Sequence, residues 1–272
     1  MRFAKGHGTG NDFVILPDTD DELTLTPELV RRLCDRHTGI GADGVLRVVA
    51  GAHDAHDGPS WFMDYRNADG AVAEMCGNGI RVFARYLLEH GLAKGPDLEI
   101  GTRAGVRMVR CEDGGLFSVD MGPVTVTGKG SAVIGGRRFE GLAISVGNPH
   151  LACVVDGPLT DLDLTSRPGV DAAEFPSGVN VEVVRLVGDH AIEMRVHERG
   201  SGETLSCGTG AVAAAVAAAE AEGSWPGAGP DRWQVQVPGG RLAVTLDAGR
   251  GVLAGPAVLV AEGEIEPGWL PH

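Results

Sequence analysis

The sequence predicts an α+β protein of two similar lobes, each a strand-rich layer or barrel around a central helix, related by internal pseudo-symmetry. Three observations predict it. A Cys-Gly-x-Gly segment that runs into a helix occurs twice. Short apolar runs punctuated by glycine and aspartate are frequent, and the 42 glycines demand many tight turns. Helix signals, by contrast, are few.

The first copy of the repeat reads Cys76-Gly77-Asn78-Gly79-Ile80 and its helix ends at His90-Gly91. The second reads Cys207-Gly208-Thr209-Gly210-Ala211 and ends at Glu222-Gly223. Each closing glycine suits the residue that follows a helix C-terminus. A weaker echo precedes both. Gly10-Asn11-Asp12 runs into Phe13-Val14-Ile15-Leu16, and Gly147-Asn148-Pro149-His150 runs into Leu151-Ala152-Cys153-Val154-Val155. Two matches in the same order point to duplication. The lobes are drawn as 1–121 and 122–261, with the boundary near Gly122-Pro123 and the tail 262–272 returning to the first lobe.

The elements follow in order. Strands are expected over 44–49, 61–65, 106–111, 116–121, 142–146, 179–186, 191–196, 233–237, 242–246 and 258–261. A helix is expected over 26–37, with Thr26 as its cap and Pro27 in its first turn. The helix after Cys76 carries Ile80, Phe83 and Leu87 on one face and Arg81 and Arg85 on another. The helix after Cys207, Ala211-Val212-Ala213-Ala214-Ala215-Val216-Ala217-Ala218-Ala219, is apolar all round and must be buried on every side. The two cysteines are therefore expected at helix starts, facing the seam between the lobes.

Composition narrows the function classes. The chain of 272 residues has 43% hydrophobic residues, enough for a sizeable core. A net charge of −14 argues against nucleic-acid binding and for solubility. No apolar run reaches the roughly 20 residues of a membrane span, and the N-terminus Met1-Arg2-Phe3-Ala4-Lys5-Gly6-His7 lacks the apolar core of a secretory signal. A cytoplasmic protein with no membrane partner is expected. No Cys-x-x-Cys pair occurs, so no metal site is expected. Cys34, Cys111 and Cys153 read as small buried hydrophobes.

Cys76 and Cys207 read differently. A helix N-terminus presents unpaired N–H groups and partial positive charge, which stabilise a thiolate and lower its pKa from about 8.5. Flanking glycines leave the backbone open to a carboxylate. One such loop alone would be structural or phosphate-binding; two related by a repeat point to a single ligand held by both. If that ligand is an amino-acid carboxylate, one thiolate removes the α-proton while the other thiol delivers a proton to the opposite face. The stereocentre inverts, and thiols suit the task because their pKa lies near the working pH.

These segments resemble the diaminopimelate epimerase family over nearly the whole chain. The resemblance is carried by Lys5-Gly6-His7-Gly8-Thr9-Gly10-Asn11-Asp12-Phe13, by Asn67-Ala68-Asp69-Gly70, and by Glu74-Met75-Cys76-Gly77-Asn78-Gly79. It continues in Gly147-Asn148-Pro149-His150, Gly178-Val179-Asn180, Glu198-Arg199-Gly200 and Thr204-Leu205-Ser206-Cys207-Gly208-Thr209-Gly210. It implies interconversion of LL- and meso-2,6-diaminopimelate without pyridoxal phosphate, metal or other cofactor, in lysine and peptidoglycan precursor synthesis. Cys76 is then the proton donor and Cys207 the acceptor in the LL-to-meso direction. Asn11, Asn67, Asn148 and Asn180 become substrate-binding residues, with Gly77, Asn78, Gly208 and Thr209 at the helix starts. Arg199 can fork the distal carboxylate and Glu198 can pair an ammonium. His150 and Glu198 are expected to tune thiol pKa values. A homodimer is also implied, although Ala261 stands where some relatives carry an aromatic dimer contact. Gly44 stands where many relatives carry a glutamine, so any contact there is through backbone.

Two rival readings differ in their consequences. A proline or hydroxyproline racemase on the same two-lobed plan would have no use for Glu198-Arg199, because proline lacks a second amino-acid end. An anion-binding module would leave both cysteines unexplained.

Overall fold

A computed structural model describes residues 1–51 and 58–270. The first part of the chain forms β1 (Arg2–Gly8), β2 (Asn11–Pro17), α1 (Pro27–Cys34), β3 (Gly44–Ala50), β4 (Trp61–Asn67), α2 (Gly77–Glu89), β5 (Asp97–Thr102), β6 (Gly105–Cys111) and β7 (Leu116–Pro123). Next come β8 (Thr125–Ile134), β9 (Arg137–Ser145), β10 (Pro149–Val154), β11 (Gly169–Val170), β12 (Asn180–Gly188), β13 (Ala191–Glu198) and β14 (Gly202–Thr204). The chain closes with α3 (Gly208–Ala221), β15 (Asp231–Val237), β16 (Gly240–Asp247), β17 (Arg250–Pro256) and β18 (Val258–Glu264).

These elements make two compact units. One is Met1–Val119 together with the chain from Pro256 onward; the other is Asp120–Gly255. The return begins ahead of β18, earlier than the expected residue 262, and the β18 backbone pairs antiparallel with β1. Residues 271–272 of that tail lie outside the described residues.

Within the first unit the strands pair in the order β18–β1–β2–β3–β4–β5–β6–β7. The pairs β2–β3 and β4–β5 are parallel and the rest antiparallel. Within the second unit the order is β8–β9–β10–β12–β13–β15–β16–β17. Here β10–β12 and β13–β15 are parallel and the rest antiparallel. The two successions match step for step, so the duplication extends from motif to topology. The fold is α+β, rich in strands, with two similar halves.

One helix is central to each unit. Helix α2 packs against β1, β2, β3, β4, β6 and β18; helix α3 packs against β9, β10, β12, β13, β15 and β16. Ala211 to Ala219 of α3 are all buried, as an all-apolar surface requires. Helix α2 departs from the expected two-faced pattern, because Arg81 is fully buried with Ile80, Phe83 and Leu87. Helix α1 is capped as expected, Thr26 Oγ1 accepting from Leu29 N at 3.2 Å. It ends at Cys34 rather than at 37, because Asp35 turns extended and its carboxylate accepts from His37 N and Thr38 N instead. Cys34 and Cys153 are buried as expected, and burial pushes each thiol up to about 12. Cys111 is only half-buried. Among the described residues no helix is long and apolar enough to cross a membrane.

Candidate active site

In the first unit Cys76 is the N-cap of α2. Its backbone is extended (φ −139, ψ 120) and its Sγ accepts the otherwise unpaired N–H of Gly79 at 3.3 Å. This position favours an oxygen side chain in most helices; here a sulfur takes it and gains the positive end of the helix dipole. Asn11, the first residue of β2, closes over it. The Asn11 Oδ1 lies 3.7 Å from Cys76 Sγ and accepts from Asn78 Nδ2 at 3.3 Å. The other end of the Asn11 amide donates to Asp43 at 2.7 Å. Asn78 is 1% exposed, and its Oδ1 accepts from Arg81 Nη2 at 3.0 Å. Asn11, Cys76, Gly77 and Asn78 are thus gathered at one helix start. Asn67 ends β4, its Oδ1 accepting from the Tyr65 hydroxyl at 2.7 Å.

Arg81 was not expected in this setting. Its guanidinium donates to Gly77 O, Thr9 Oγ1 and Pro256 O as well as to Asn78. Burial pulls its pKa down to about 10, while the Cys76 charge acts the other way. The cation therefore sits within electrostatic reach of the sulfur and favours its thiolate.

In the second unit Cys207 repeats the arrangement. It is the N-cap of α3, again extended (φ −122, ψ 119), and its Sγ accepts from Gly210 N at 3.4 Å. Thr209 Oγ1 is 3.5 Å from the same sulfur and accepts from Asn148 Nδ2 at 3.4 Å. Asn148 Oδ1 meets His150 Nε2 at 3.0 Å, and His150 Nδ1 meets Glu182 Oε1 at 2.7 Å. The parallel register of β10 and β12 sets His150 opposite Asn180 and Ala152 opposite Glu182.

The helix start does not lower this thiol, contrary to expectation. Burial pushes Cys207 well above its ordinary range, and the carboxylates of Glu198 and Glu182 push the same way; Thr209 and the Gly210 amide oppose them. Desolvation outweighs the helix-end charge because Cys207 is 6% exposed.

The remaining expected residues lie on β12, β13 and the turn that follows. Asn180 Oδ1 accepts from Arg199 N at 2.8 Å, and Glu198 accepts from Thr204 Oγ1 at 2.5 Å. The Arg199 guanidinium donates to Ser177 O at 2.9 Å and lines a cavity of ≈ 470 Å³ with Arg167 and His197. Glu182 escaped the sequence reading. Its signal was a carboxylate inside an apolar strand, two residues beyond Asn180 and so on the same face.

A family model described as diaminopimelate epimerase matches residues 3–127 and 142–260. The chain belongs to the diaminopimelate epimerase family. Each matched segment of the diaminopimelate epimerase model contains one Cys-Gly-x-Gly helix start, and the break between them falls in the β8–β9 hairpin. The chain is 56% identical to a diaminopimelate epimerase of Thermobifida fusca, over 97% of this chain and 98% of that one. It is 53% identical to a diaminopimelate epimerase of Mycobacterium tuberculosis, over 99% and 98%. A solved structure of a PhzF-family phenazine biosynthesis protein from Bacillus anthracis superposes with a TM-score of 0.75 at 18% identity, over 98% of this chain and 99% of that one. That likeness speaks to the fold alone.

Proposed function

We propose that this protein interconverts LL- and meso-2,6-diaminopimelate by two-base chemistry, with Cys207 taking the Cα proton and Cys76 supplying one in the LL-to-meso direction. The observation that carries the reading is the repeated sulfur cap: in each unit a cysteine Sγ accepts the third amide of a buried helix. Family membership supplies the substrate. Inversion needs two groups, since a single base returns the proton to the face it left. Reversal of the reaction exchanges the two roles. Helix-start N–H groups at Gly77–Asn78 and Gly208–Thr209 suit the reacting carboxylate, where negative charge grows as the Cα proton leaves. Asn11, Asn67, Asn148 and Asn180 bind substrate in this reading, with Arg199 on the distal carboxylate and Glu198 on an ammonium. The protein acts in the cytoplasm as a homodimer and feeds lysine and peptidoglycan precursor synthesis.

The test combines turnover and isotope exchange. Wild-type protein should epimerise LL-diaminopimelate and leave proline untouched. In heavy water it should introduce deuterium at the inverted Cα. Cys76→Ala and Cys207→Ala should each lose about 10²–10⁴-fold or more in kcat while staying folded. Near-wild-type turnover in either variant rejects the two-base assignment. Turnover of proline instead of diaminopimelate rejects the substrate.

A further inference from the structure

Cys207 must surrender its proton to act as the base, yet its surroundings oppose the resulting charge. It is buried, and Glu198 on β13 and Glu182 on β12 both act against the thiolate. Helix α3 has no acidic residue in its first turn, and the Gly210 amide and the Thr209 hydroxyl are the near groups that favour the anion. His150 on β10 stands one hydrogen-bond chain away.

That chain has a direction at every link. Asn148 Nδ2 donates to Thr209 Oγ1, so Asn148 Oδ1 is the end turned to His150 Nε2. With the amide in this orientation its carbonyl oxygen accepts, and Nε2 is the donor. The other ring nitrogen, Nδ1, meets a carboxylate oxygen at 2.7 Å, and a proton lies in that bond too. With both protons on the ring, His150 is an imidazolium and Glu182 its carboxylate partner. At the opposite end Thr209 accepts from Asn148, which leaves its own hydrogen for Cys207 Sγ at 3.5 Å. A thiolate is the acceptor that completes this state.

Turning the Asn148 amide over reverses every link. Its Nδ2 then donates to a bare Nε2, its Oδ1 accepts from the Thr209 hydroxyl, and Thr209 Oγ1 accepts from the Cys207 thiol. His150 is neutral in that state. Both states hold the same number of protons: His150 gains one where Cys207 has lost one. An amide does not conduct protons readily, so the chain couples the two charges and the protons themselves exchange elsewhere.

Resting on the proposed epimerase reading, we propose that Glu182 is a positioning residue that anchors this chain and, by holding His150 as the imidazolium, stabilises the Cys207 thiolate. Its place in the fold suits the role. Glu182 is 0% exposed, and among the described residues its Oε2 has no hydrogen-bond partner; burial pushes its carboxyl up, and the His150 charge and hydrogen bond are the main effects opposing that push. The first turn of α3 rests directly on it: a Cβ at Gly210 would come within 2.7 Å of Glu182 Oε1. Glycine there lets the Cys207 helix start and the Glu182–His150 pair share one compact unit.

The decisive variant is Glu182→Gln, which keeps the shape and the acceptor but removes the charge. Cys207 ionisation is followed by iodoacetamide labelling across pH, with the Cys207 peptide resolved by mass spectrometry. The chain and a plain like-charge effect predict opposite signs. If Glu182 holds the imidazolium, its loss makes the thiolate harder to form, and the labelling midpoint rises by about one pH unit or more. The kcat near neutral pH then falls about ten-fold, the factor one pKa unit carries, with KM for diaminopimelate little changed. If Glu182 acts on the sulfur only as a nearby negative charge, its removal lowers the midpoint. A lowered or unmoved midpoint overturns the proposal.

Thr209→Val cuts the far end of the chain and should also raise the midpoint. The double variant should be no worse than the larger single change, since both break one chain; additive shifts overturn the coupling. Should Glu182→Gln fail to fold, Thr209→Val and Asn148→Ala carry the test, and an unmoved midpoint in both rejects it. Labelling needs no substrate. Wild-type protein that fails to epimerise diaminopimelate would therefore reject the function while leaving the thiolate coupling measurable.

Discussion

Gly44 opens β3 opposite Asn67, and a Cβ built there would come within 2.5 Å of Arg66 O and 2.8 Å of a Tyr65 ring carbon. The backbone of β4 leaves no room for a side chain, so the glutamine that the family resemblance would place here does not fit this local geometry. Gly44→Gln is expected to lose about 1–3 kcal/mol by overpacking, read as a lower urea midpoint without a change in slope. A variant of unchanged stability would mean that the strands part easily. At this scale the sequence disclosed residues whose chemistry repeats. Cys76 and Cys207 stand out because the same glycine spacing surrounds both. Arg81 and Glu182 stayed hidden for a common reason: long charged side chains are ordinarily exposed, and some of the partners that make their burial tolerable are remote in sequence. Arg81 adds Thr9 and Pro256 to the nearby Gly77 and Asn78, and Glu182 depends on His150. No local pattern announces such pairings.

Strand β4 carries a buried charge of its own. The Asp64 side chain is 1% exposed and is met by Arg47, Arg66 and Arg103 at 3.1, 2.8 and 2.7 Å. Burial acts to raise the Asp64 carboxyl, but hydrogen bonds and charge from Arg66 and Arg103 hold it below its ordinary value of 3.8. A folded-state pKa below the unfolded one contributes stability that is present above the ordinary range and is lost as pH falls through the folded value. Asp64→Asn should therefore cost about 3 kcal/mol near neutral pH, since it leaves three guanidinium groups without their shared anion. The deficit should shrink in unfolding curves taken below the ordinary carboxylate pKa of 3.8. A deficit independent of pH would assign the effect to packing. Legibility among the elements followed apolar content. Strands β3, β4, β12, β13, β15 and β16 carry β-branched or aromatic runs and were readable. Strands β1, β8 and β17 were not, because Arg2–Gly8 alternates small and charged residues and the other two are interrupted by Gly128, Gly130 and Gly251. Pairing with neighbours decides those strands, and local propensity does not.

For the whole molecule, duplication is the feature that sequence reveals most directly, because two Cys-Gly-x-Gly helix starts require two similar surroundings. The return of the chain to its first unit is less visible, since β18 becomes a strand of that unit only by pairing with β1 from the far end of the sequence. That return is held by more than backbone. Met1 and Ile265 exchange hydrogen bonds at 3.1 and 2.8 Å, and Ile265 joins the apolar cluster beneath α1. Beyond it the Trp269 ring lies 4.6 Å from the Arg32 guanidinium and donates to Thr38 O at 3.1 Å, while Arg32 donates to Trp269 O at 2.5 Å. Trp269→Ala removes the ring and its N–H together. It is expected to cost about 1–3 kcal/mol, the range for losing a packed side chain with a hydrogen bond. Local openings draw on the contacts of their own cooperative segment, so the loss should register first in α1, β1 and β18. Amide exchange should quicken in those three elements and stay at wild-type rates in β15 and β16 of the second unit. Equal quickening in both units would mean that the chain opens as one cooperative body and that the C-terminal return is not a local clasp.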